Sequence, residues 1–317
     1  MQELKLVKSG KIVCIGQAVM DIVVGQVRQN AFHHETMRVQ YVKHLPGGHA
    51  VNHAIALSKL IKDVVFIGRV GADDYGRSIL CRMKDCHIDI SGVMVDPLLP
   101  TSVSVIIVDI AGEKTILQHQ TGNNAFTYDM INHKLLNDAS IVCVGSLWAL
   151  PGLDGDGVAE LFSQARTHGV ITVADTGEDS QYVGIRPIIQ ALEYTDYFLP
   201  SNREAKAITG LDDLEKAAEA LLEMGPKAVI LRLGADGCLV ATKQAKQRIP
   251  TLIVSPTDTT GACDNFMAGF LTKLAEGKSL IECAKFANAA GALSTLSIGA
   301  NTADYDYALV ESKAALL

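Results

Sequence analysis

Apolar and polar positions along this chain of 317 residues change period repeatedly. KIVCIG (11–16), DVVFIG (63–68), IVCVGSL (141–147), VITVAD (170–175), DYFLP (196–200) and KAVILRL (227–233) are short, nearly continuous apolar runs. Runs of that length predict strands buried on both faces. Between them the period becomes helical. In GHAVNHAIALSKLI (48–61) the apolar positions are Val51, Ala54, Ile55, Leu57, Leu60 and Ile61, and DYGRSILCRMKDC (74–86) follows the second strand as a helix. Further helices are predicted near 156–168, 202–209, 211–224, 262–276 and 279–297. Strands alternating with helices at this spacing predict an α/β fold whose largely parallel sheet is covered on both faces.

Two segments break the rhythm. Residues 18–44 and 99–120, with SVSVIIVD and EKTILQH as examples, alternate apolar and polar positions with no helix between them. They predict an antiparallel flap beside the sheet, one face buried and the other against a ligand or another subunit. Their apolar content exceeds what a free flap in water should carry, so a homodimer with the flaps packed together is expected. No repeat, low-complexity run or linker divides the chain, which reads as one domain over 1–317.

Composition narrows the function classes. The net charge of −7 argues against a general nucleic-acid binder, which needs a basic patch. No run of 18 apolar residues predicts a membrane span, and MQELKLVKSG lacks the apolar centre of a signal peptide. Seven scattered cysteines (14, 81, 86, 143, 238, 263, 283) fit reduced thiols in the cytoplasm better than a disulfide framework.

The stretch DTTGACDNFMAGF (258–270) carries the most chemistry. A β-rich segment, IPTLIV, ends in turn-forming residues, and a helix pattern follows with small residues at its start. Free N–H groups and the helix dipole there suit an anion such as phosphate. Asp264 falls in that first turn, where a carboxylate suits either a general base or a simple helix-end charge. His49 and His53 lie four apart on one helix, a spacing that permits shared metal ligation, but no H-E-x-x-H arrangement or third ligand accompanies them. The DGDG at 154–157 reads as a turn and helix start rather than a calcium loop.

This stretch resembles the DTxGAGD signature of the ribokinase-like carbohydrate kinases, the PfkB family, and LPGGHAVNHAIALSKL (45–60) resembles their GGxxxNxAxxLxxLG motif. VGADDYG (70–76), TGNNA (121–125), FLPSNREAKAITG (198–210), ILRLGADGCLV (230–240) and FANAAGALSTLSIGA (286–300) follow in the family's order. The resemblance implies a ribokinase-like three-layer α/β/α sandwich with a mostly parallel central sheet. The two alternating segments, about 18–44 and 99–120, would form a small β-strand lid over the sugar and, in several members, the dimer contact.

Roles implied by the resemblance fall on named residues. Asp264 would be the catalytic base, and Gly261, Ala262 and Cys263 the backbone anion hole, with Cys263 standing where Gly is usual. A thiol at a helix N-terminus is expected to have a lowered pKa, an effect its neighbour Asp264 opposes. Asp21 would bind sugar hydroxyls, with Gly47, Gly48, His49, Asn52 and Asn124 around the substrate. Arg232, Gly234, Gly237 and Asn288 would line the ATP site. Glu204, in Ser201-x-x-Glu204, would organise Mg²⁺ through its water shell, and Asp258 would begin a monovalent-cation loop suited to K⁺. The implied activity is ATP-dependent phosphorylation of a hydroxyl, expected to be primary, of a sugar or sugar-like molecule. A nucleoside kinase of the same family and a weakly catalytic nucleotide- or sugar-binding regulator are the alternatives. A Rossmann dehydrogenase is set aside, since the first strand runs into GQAVMD and not G-x-G-x-x-G.

Overall fold

In the computed structural model the described residues are 9–28, 31–33, 35–61, 63–180 and 183–317. Residues 1–8, and 29, 30 and 34 of the first lid segment, lie outside them. The central sheet has nine strands: β1 (Lys11–Gly16), β4 (Val64–Gly71), β5 (Asp89–Asp96), β8 (Ala139–Leu147), β9 (Ile171–Thr176), β10 (Tyr197–Phe198), β11 (Ala228–Arg232), β12 (Cys238–Thr242) and β13 (Lys246–Ile249). Their order is β13-β12-β11-β10-β9-β8-β1-β4-β5. All pairings from β11 to β5 are parallel, while β11–β12 and β12–β13 are antiparallel.

Alternate residues of each central strand enter opposite cores. Ile12, Cys14, Phe66, Ile141 and Ile230 pack under α1 (His49–Ser58), α2 (Asp74–Asp85), α8 (Ala262–Ala275), α9 (Leu280–Ser294) and α10 (Tyr307–Ala314). Val13, Ile15, Val142, Val144 and Leu231 pack under α4 (Asp156–Thr167), α5 (Arg186–Leu192), α6 (Asn202–Thr209) and α7 (Leu214–Glu223). This two-sided burial is why the strands read as unbroken apolar runs. The remaining helix, α3 (Thr121–Asn124), closes the loop after the second lid segment.

The lid is a separate sheet of four strands, β2 (Val19–Val27), β3 (Tyr41–Gly47), β6 (Ser102–Asp109) and β7 (Lys114–His119), in the order β3-β2-β6-β7. The expectation of an antiparallel flap needs correction. β2 and β6 pair in parallel and only the outer pairs are antiparallel, because β2 and β6 leave the main body in the same direction. The segment IPTLIV is also not a strand beyond Ile249, since residues 250–254 leave the sheet and wall a cleft instead. Among the described residues no helix is long and apolar enough to cross a membrane.

Candidate active site

Helix α8 begins at Gly261, whose φ of 80° is left-handed and whose position leaves no room for a side chain: a Cβ would lie 2.4 Å from Ala300. The first helical bond runs from the Asn265 N–H to the Gly261 carbonyl at 2.9 Å, so the amides before it have no partner one turn back. The Ala262 N–H donates to the Thr259 carbonyl at 3.2 Å, so Gly261 and Cys263 are the better-placed amides of the three expected in an anion hole.

Asp264 is buried one turn into α8, and α1 supplies its partners. Asn52 Nδ2 donates to its Oδ2 at 2.9 Å, while His49 Nδ1 and His53 Nε2 lie 3.2 and 3.1 Å from its Oδ1. Burial alone would raise the Asp264 pKa. The two imidazoles outweigh it and hold the carboxyl far below the usual carboxylate range. His53 also faces Asp175 Oδ2, at 3.5 Å, and burial, which would discharge the ring, is overcome by Asp175 and Asp264.

Beyond Asp175 the charges continue. Arg232 Nη1 lies 3.6 Å from Asp175 Oδ2, and Arg232 Nη2 lies 3.0 Å from Glu204 Oε2. Asp264, His53, Asp175, Arg232 and Glu204 thus alternate in sign through the interior. Sequence reasoning missed Asp175 and gave His53 no role beyond a metal pair without a third ligand. The available signal for Asp175 was an acidic residue closing an otherwise apolar strand, VITVAD, at the end where α/β sheets present their sites.

On one side of Asp264 the lid meets the sheet. Gly47 and Gly48 are both required, for different reasons. A Cβ on Gly47 would lie 2.0 Å from Asp21 Oδ2, and Gly48, at φ 94°, would meet the Gln17 carbonyl at 2.6 Å. Burial, with Asp264 adding to it and His49 opposing, pushes the Asp21 pKa up to about 7. Asn124, expected near the substrate, is exposed. Its neighbour Asn123 is the buried one, bonded to the Ala18 backbone at 3.2 Å and to Gln120 at 2.9 Å, which fixes the loop entering β2.

On the other side lies a cleft of about 610 Å³, bordered by Arg232, Gly234, Gly237, Ala262, Cys263 and Asn288. All four expected nucleotide-site residues therefore meet there, together with the start of α8. Asn288 uses its amide on the Ile249 and Pro250 carbonyls, at 3.1 and 3.0 Å, and so shapes the wall. Gly237, at φ 81°, would clash with the Ile249 carbonyl if it bore a Cβ.

Two ion-site expectations fare differently. Glu204 forms a capping box with Ser201, and its bonds from the Ser201 N–H (2.6 Å) and Arg232 fall on Oε2. Its other oxygen is free to hold a hydrated Mg²⁺, an ion that keeps most of its waters. Asp258 does not fit a K⁺ site. Its Oδ1 receives Thr260 N–H at 3.0 Å and Lys114 Nζ at 2.9 Å, and its Oδ2 receives Gly299 N–H at 2.9 Å. Burial would raise its pKa, but these donors bring it to about 2. The expected lowering of the Cys263 pKa is also reversed. Arg232 pulls it down, but the crowding of protein around the sulfur, although the residue is exposed at the cleft wall, and the carboxylates of Asp264, Glu204 and Asp175 together carry the thiol above its ordinary value.

A carboxylate between a lidded polar pocket and an anion-ready helix start is an arrangement for phosphoryl transfer. Residues 9–306 match the description pfkB family carbohydrate kinase. The chain belongs to this family. It is an ATP-dependent sugar kinase. The ribokinase of Staphylococcus aureus is 28% identical over 301 residues, 92% of this chain and 95% of that protein. Fructokinase-1 of Zea mays is 27% identical over 270 residues, 80% of this chain and 84% of that protein. The crystal structure of ribokinase from Thermotoga maritima superposes with a TM-score of 0.84 at 28% identity, covering 96% of this chain and 98% of that one. The ribokinase-like fold expected from the motifs is the fold of this kinase.

Proposed function

We propose that this kinase transfers the γ-phosphoryl group of ATP to a primary hydroxyl of a free sugar, with Asp264 as general base. The observation that carries this reading is the position of Asp264, which bonds Asn52 on the lid side while its neighbours Ala262 and Cys263 line the large cleft. ATP would lie in that cleft with its phosphates toward Arg232 and the first turn of α8. The sugar would lie under the lid against Asp21, His49 and Asn52.

The acceptor hydroxyl gives its proton to Asp264 as its oxygen bonds the γ-phosphorus. The bond from that phosphorus to the β-phosphate bridging oxygen breaks, and ADP leaves with the electron pair. Backbone amides at 261–263 would hold the charge on the transferring group. Mg²⁺ on the nucleotide, steered by Glu204 through water, would supply Lewis-acid neutralisation. Positioning and electrostatics provide most of the acceleration in such reactions.

The named activities of the relatives make ribose and fructose the first substrates to try. A lid-to-lid homodimer is part of the same reading, supported by Val42, Ile116 and Leu117, each about half exposed or more on the lid strands. A coupled ADP-release screen over pentoses, hexoses, ketoses, sugar acids, sugar phosphates and nucleosides tests the function. Turnover on a free sugar that collapses in Asp264→Asn is the expected result. Turnover confined to nucleosides would replace the substrate class, and ATP binding with no turnover on any acceptor would turn the reading to a regulator.

A further inference from the structure

We propose that His49, His53, Asp175 and Asp264 form a binding site for one divalent transition-metal ion of the zinc class, and that filling it switches the kinase off. One ligand atom from each residue lies within 4.8 Å of all the others. The individual spacings are 3.1 Å for His53 Nε2 to Asp264 Oδ1, 3.2 Å for His49 Nδ1 to Asp264 Oδ1 and 3.5 Å for His53 Nε2 to Asp175 Oδ2. Donors held tetrahedrally about 2.0–2.2 Å from a zinc ion sit roughly 3.4 Å apart. The three named spacings match that value, and the remaining ones, within 4.8 Å, would close toward it by side-chain movement on binding.

A second observation is independent of the spacing. His53 and Asp175 are 0% and 1% exposed, yet neither His53 nitrogen and neither Asp175 oxygen completes a hydrogen bond of good geometry. Buried polar atoms are normally hydrogen-bonded, yet His53 Nε2 and Asp175 Oδ2 face each other, and His53 faces Asp264, as close ion pairs that complete no hydrogen bond of good geometry. The lone Nε2 of His53 faces two carboxylates and can donate to only one of them. Arg232, the nearest other cation, stands 3.6 Å from Asp175 with its Nε and Nη1 also unpaired. A dication at the centre, displacing the protons that His49 and His53 hold in its absence, would satisfy His53, Asp175 and Asp264 together, with two carboxylates balancing its charge.

The donor chemistry selects the ion. Imidazole with carboxylate suits zinc and its neighbours, whereas Mg²⁺ prefers oxygen donors and retained water. The His49 side chain is 41% exposed, so the set is open to solvent at His49. This site is distinct from the Mg·ATP position near Glu204. Its inhibitory effect rests on the reading of Asp264 as the base, since the oxygen bound to the ion cannot also take the acceptor proton.

The test separates binding from turnover. The full chain, in excess Mg²⁺, is titrated with Co²⁺ and followed by its visible absorption, and with Zn²⁺ by calorimetry. The expected result is one saturable ion with a nitrogen–oxygen ligand spectrum, and affinity lower by about tenfold or more in His49→Ala and Asp175→Asn. His49→Ala changes a half-exposed side chain, so it reports even where Asp175→Asn folds poorly. No saturable ion, unchanged affinity in folded His49→Ala, or a thiolate charge-transfer band would overturn the site. Buffered Zn²⁺ should then suppress sugar phosphorylation by wild type, reversed by a chelator selective for zinc over magnesium. A bound ion that leaves turnover unchanged or raises it would overturn the inhibitory role while leaving the kinase reading intact.

Discussion

Asn52 joins the buried carboxylate of Asp264 to the mouth of the lid. Its amide nitrogen donates to Asp264 Oδ2 at 2.9 Å, and its carbonyl accepts from Asn301 at 3.2 Å, while Asn301 also holds the Pro46 carbonyl of β3 at 3.0 Å. The orientation of the Asp264 carboxylate, the proposed base, is thus set by a side chain that the lid and the loop after α9 hold from behind. Asp264→Asn is expected to lower kcat by roughly two to four powers of ten, the range of a general base, with Mg·ATP binding retained by calorimetry. Asn52→Ala leaves one oxygen of a buried carboxylate without its donor, a loss of about 1–3 kcal/mol. It should lower kcat/KM for the sugar by roughly ten- to a hundredfold. Wild-type kinetics in either variant would remove that residue from the site.

The Glu204–Arg232 pair gives a prediction on the metal. Glu204→Gln removes the charge that faces Arg232 at 3.0 Å while an amide can still cap the Ser201 N–H. The Mg²⁺ concentration for half-maximal rate should rise several-fold. Full activity in EDTA would contradict a magnesium-dependent reaction, and an unchanged magnesium titration would confine Glu204 to capping α6.

Lys114 on lid strand β7 carries its ammonium to Asp258, at 2.9 Å, and bonds Thr260 beside the start of α8. A monovalent ion would have to displace this tethered cation. Sugar phosphorylation should therefore proceed at equal rates in potassium, sodium and tetramethylammonium chloride of equal ionic strength. Lys114→Met should be slower in tetramethylammonium chloride and should gain rate when potassium is added. A wild-type enzyme stimulated several-fold by potassium would show that Lys114 does not fill this place.

Asp154 offers a pH-dependent effect on stability. Its Oδ2 accepts the Leu150 N–H at 3.0 Å, but its Oδ1 is buried without a partner, and burial raises its pKa to about 7. The folded state therefore keeps a proton that the unfolded chain releases near pH 4. The stabilisation is complete below about pH 4 and is lost as the pH rises toward and through 7. Asp154→Asn keeps an acceptor and removes the charge. It should raise Tm at pH 8, by a stabilisation on the order of 1–3 kcal/mol, and change it little at pH 4. Equal shifts at both pH values would point to packing as the cause.

The legible parts of this kinase were those where one residue type answers one local demand. Runs such as KIVCIG revealed strands buried on both faces, while the two adjacent glycines, expected to admit a sugar, are crowded in this structure by Asp21 and the Gln17 carbonyl. Strands β5, β12 and β13 and helices α5 and α10 were not anticipated. DISGVMVD and KQRI are edge strands with many exposed positions, so their apolar pattern is weak. Asp264 on α8 and Asn52 on α1 were each legible from the motif at the start of their own helix. The site was not legible where β9 brings Asp175 to His53, a contact between residues 122 positions apart that only the sheet order β9-β8-β1 creates. That Asn123 is buried and Asn124 exposed depends on which way a four-residue helix turns, and no periodicity encodes that.

Cys263 tests whether the cleft is the nucleotide site. It is exposed, lies in the first turn of α8 beside Asp264, and borders the cleft with Arg232 and Asn288. A reagent attached there would occupy the space assigned to the phosphates. Alkylation of wild type should abolish sugar phosphorylation, and saturating Mg·ATP should slow the loss. Cys81 is also exposed but lies on α2, away from this cleft, so its modification serves as an internal control in peptide mapping. Cys263→Gly keeps the backbone N–H and removes the side chain. It should turn over at least as fast as wild type and resist inactivation by the same reagent. Inactivation of Cys263→Gly at the wild-type rate, or modification of Cys263 that Mg·ATP does not slow, would move the nucleotide phosphates away from the start of α8.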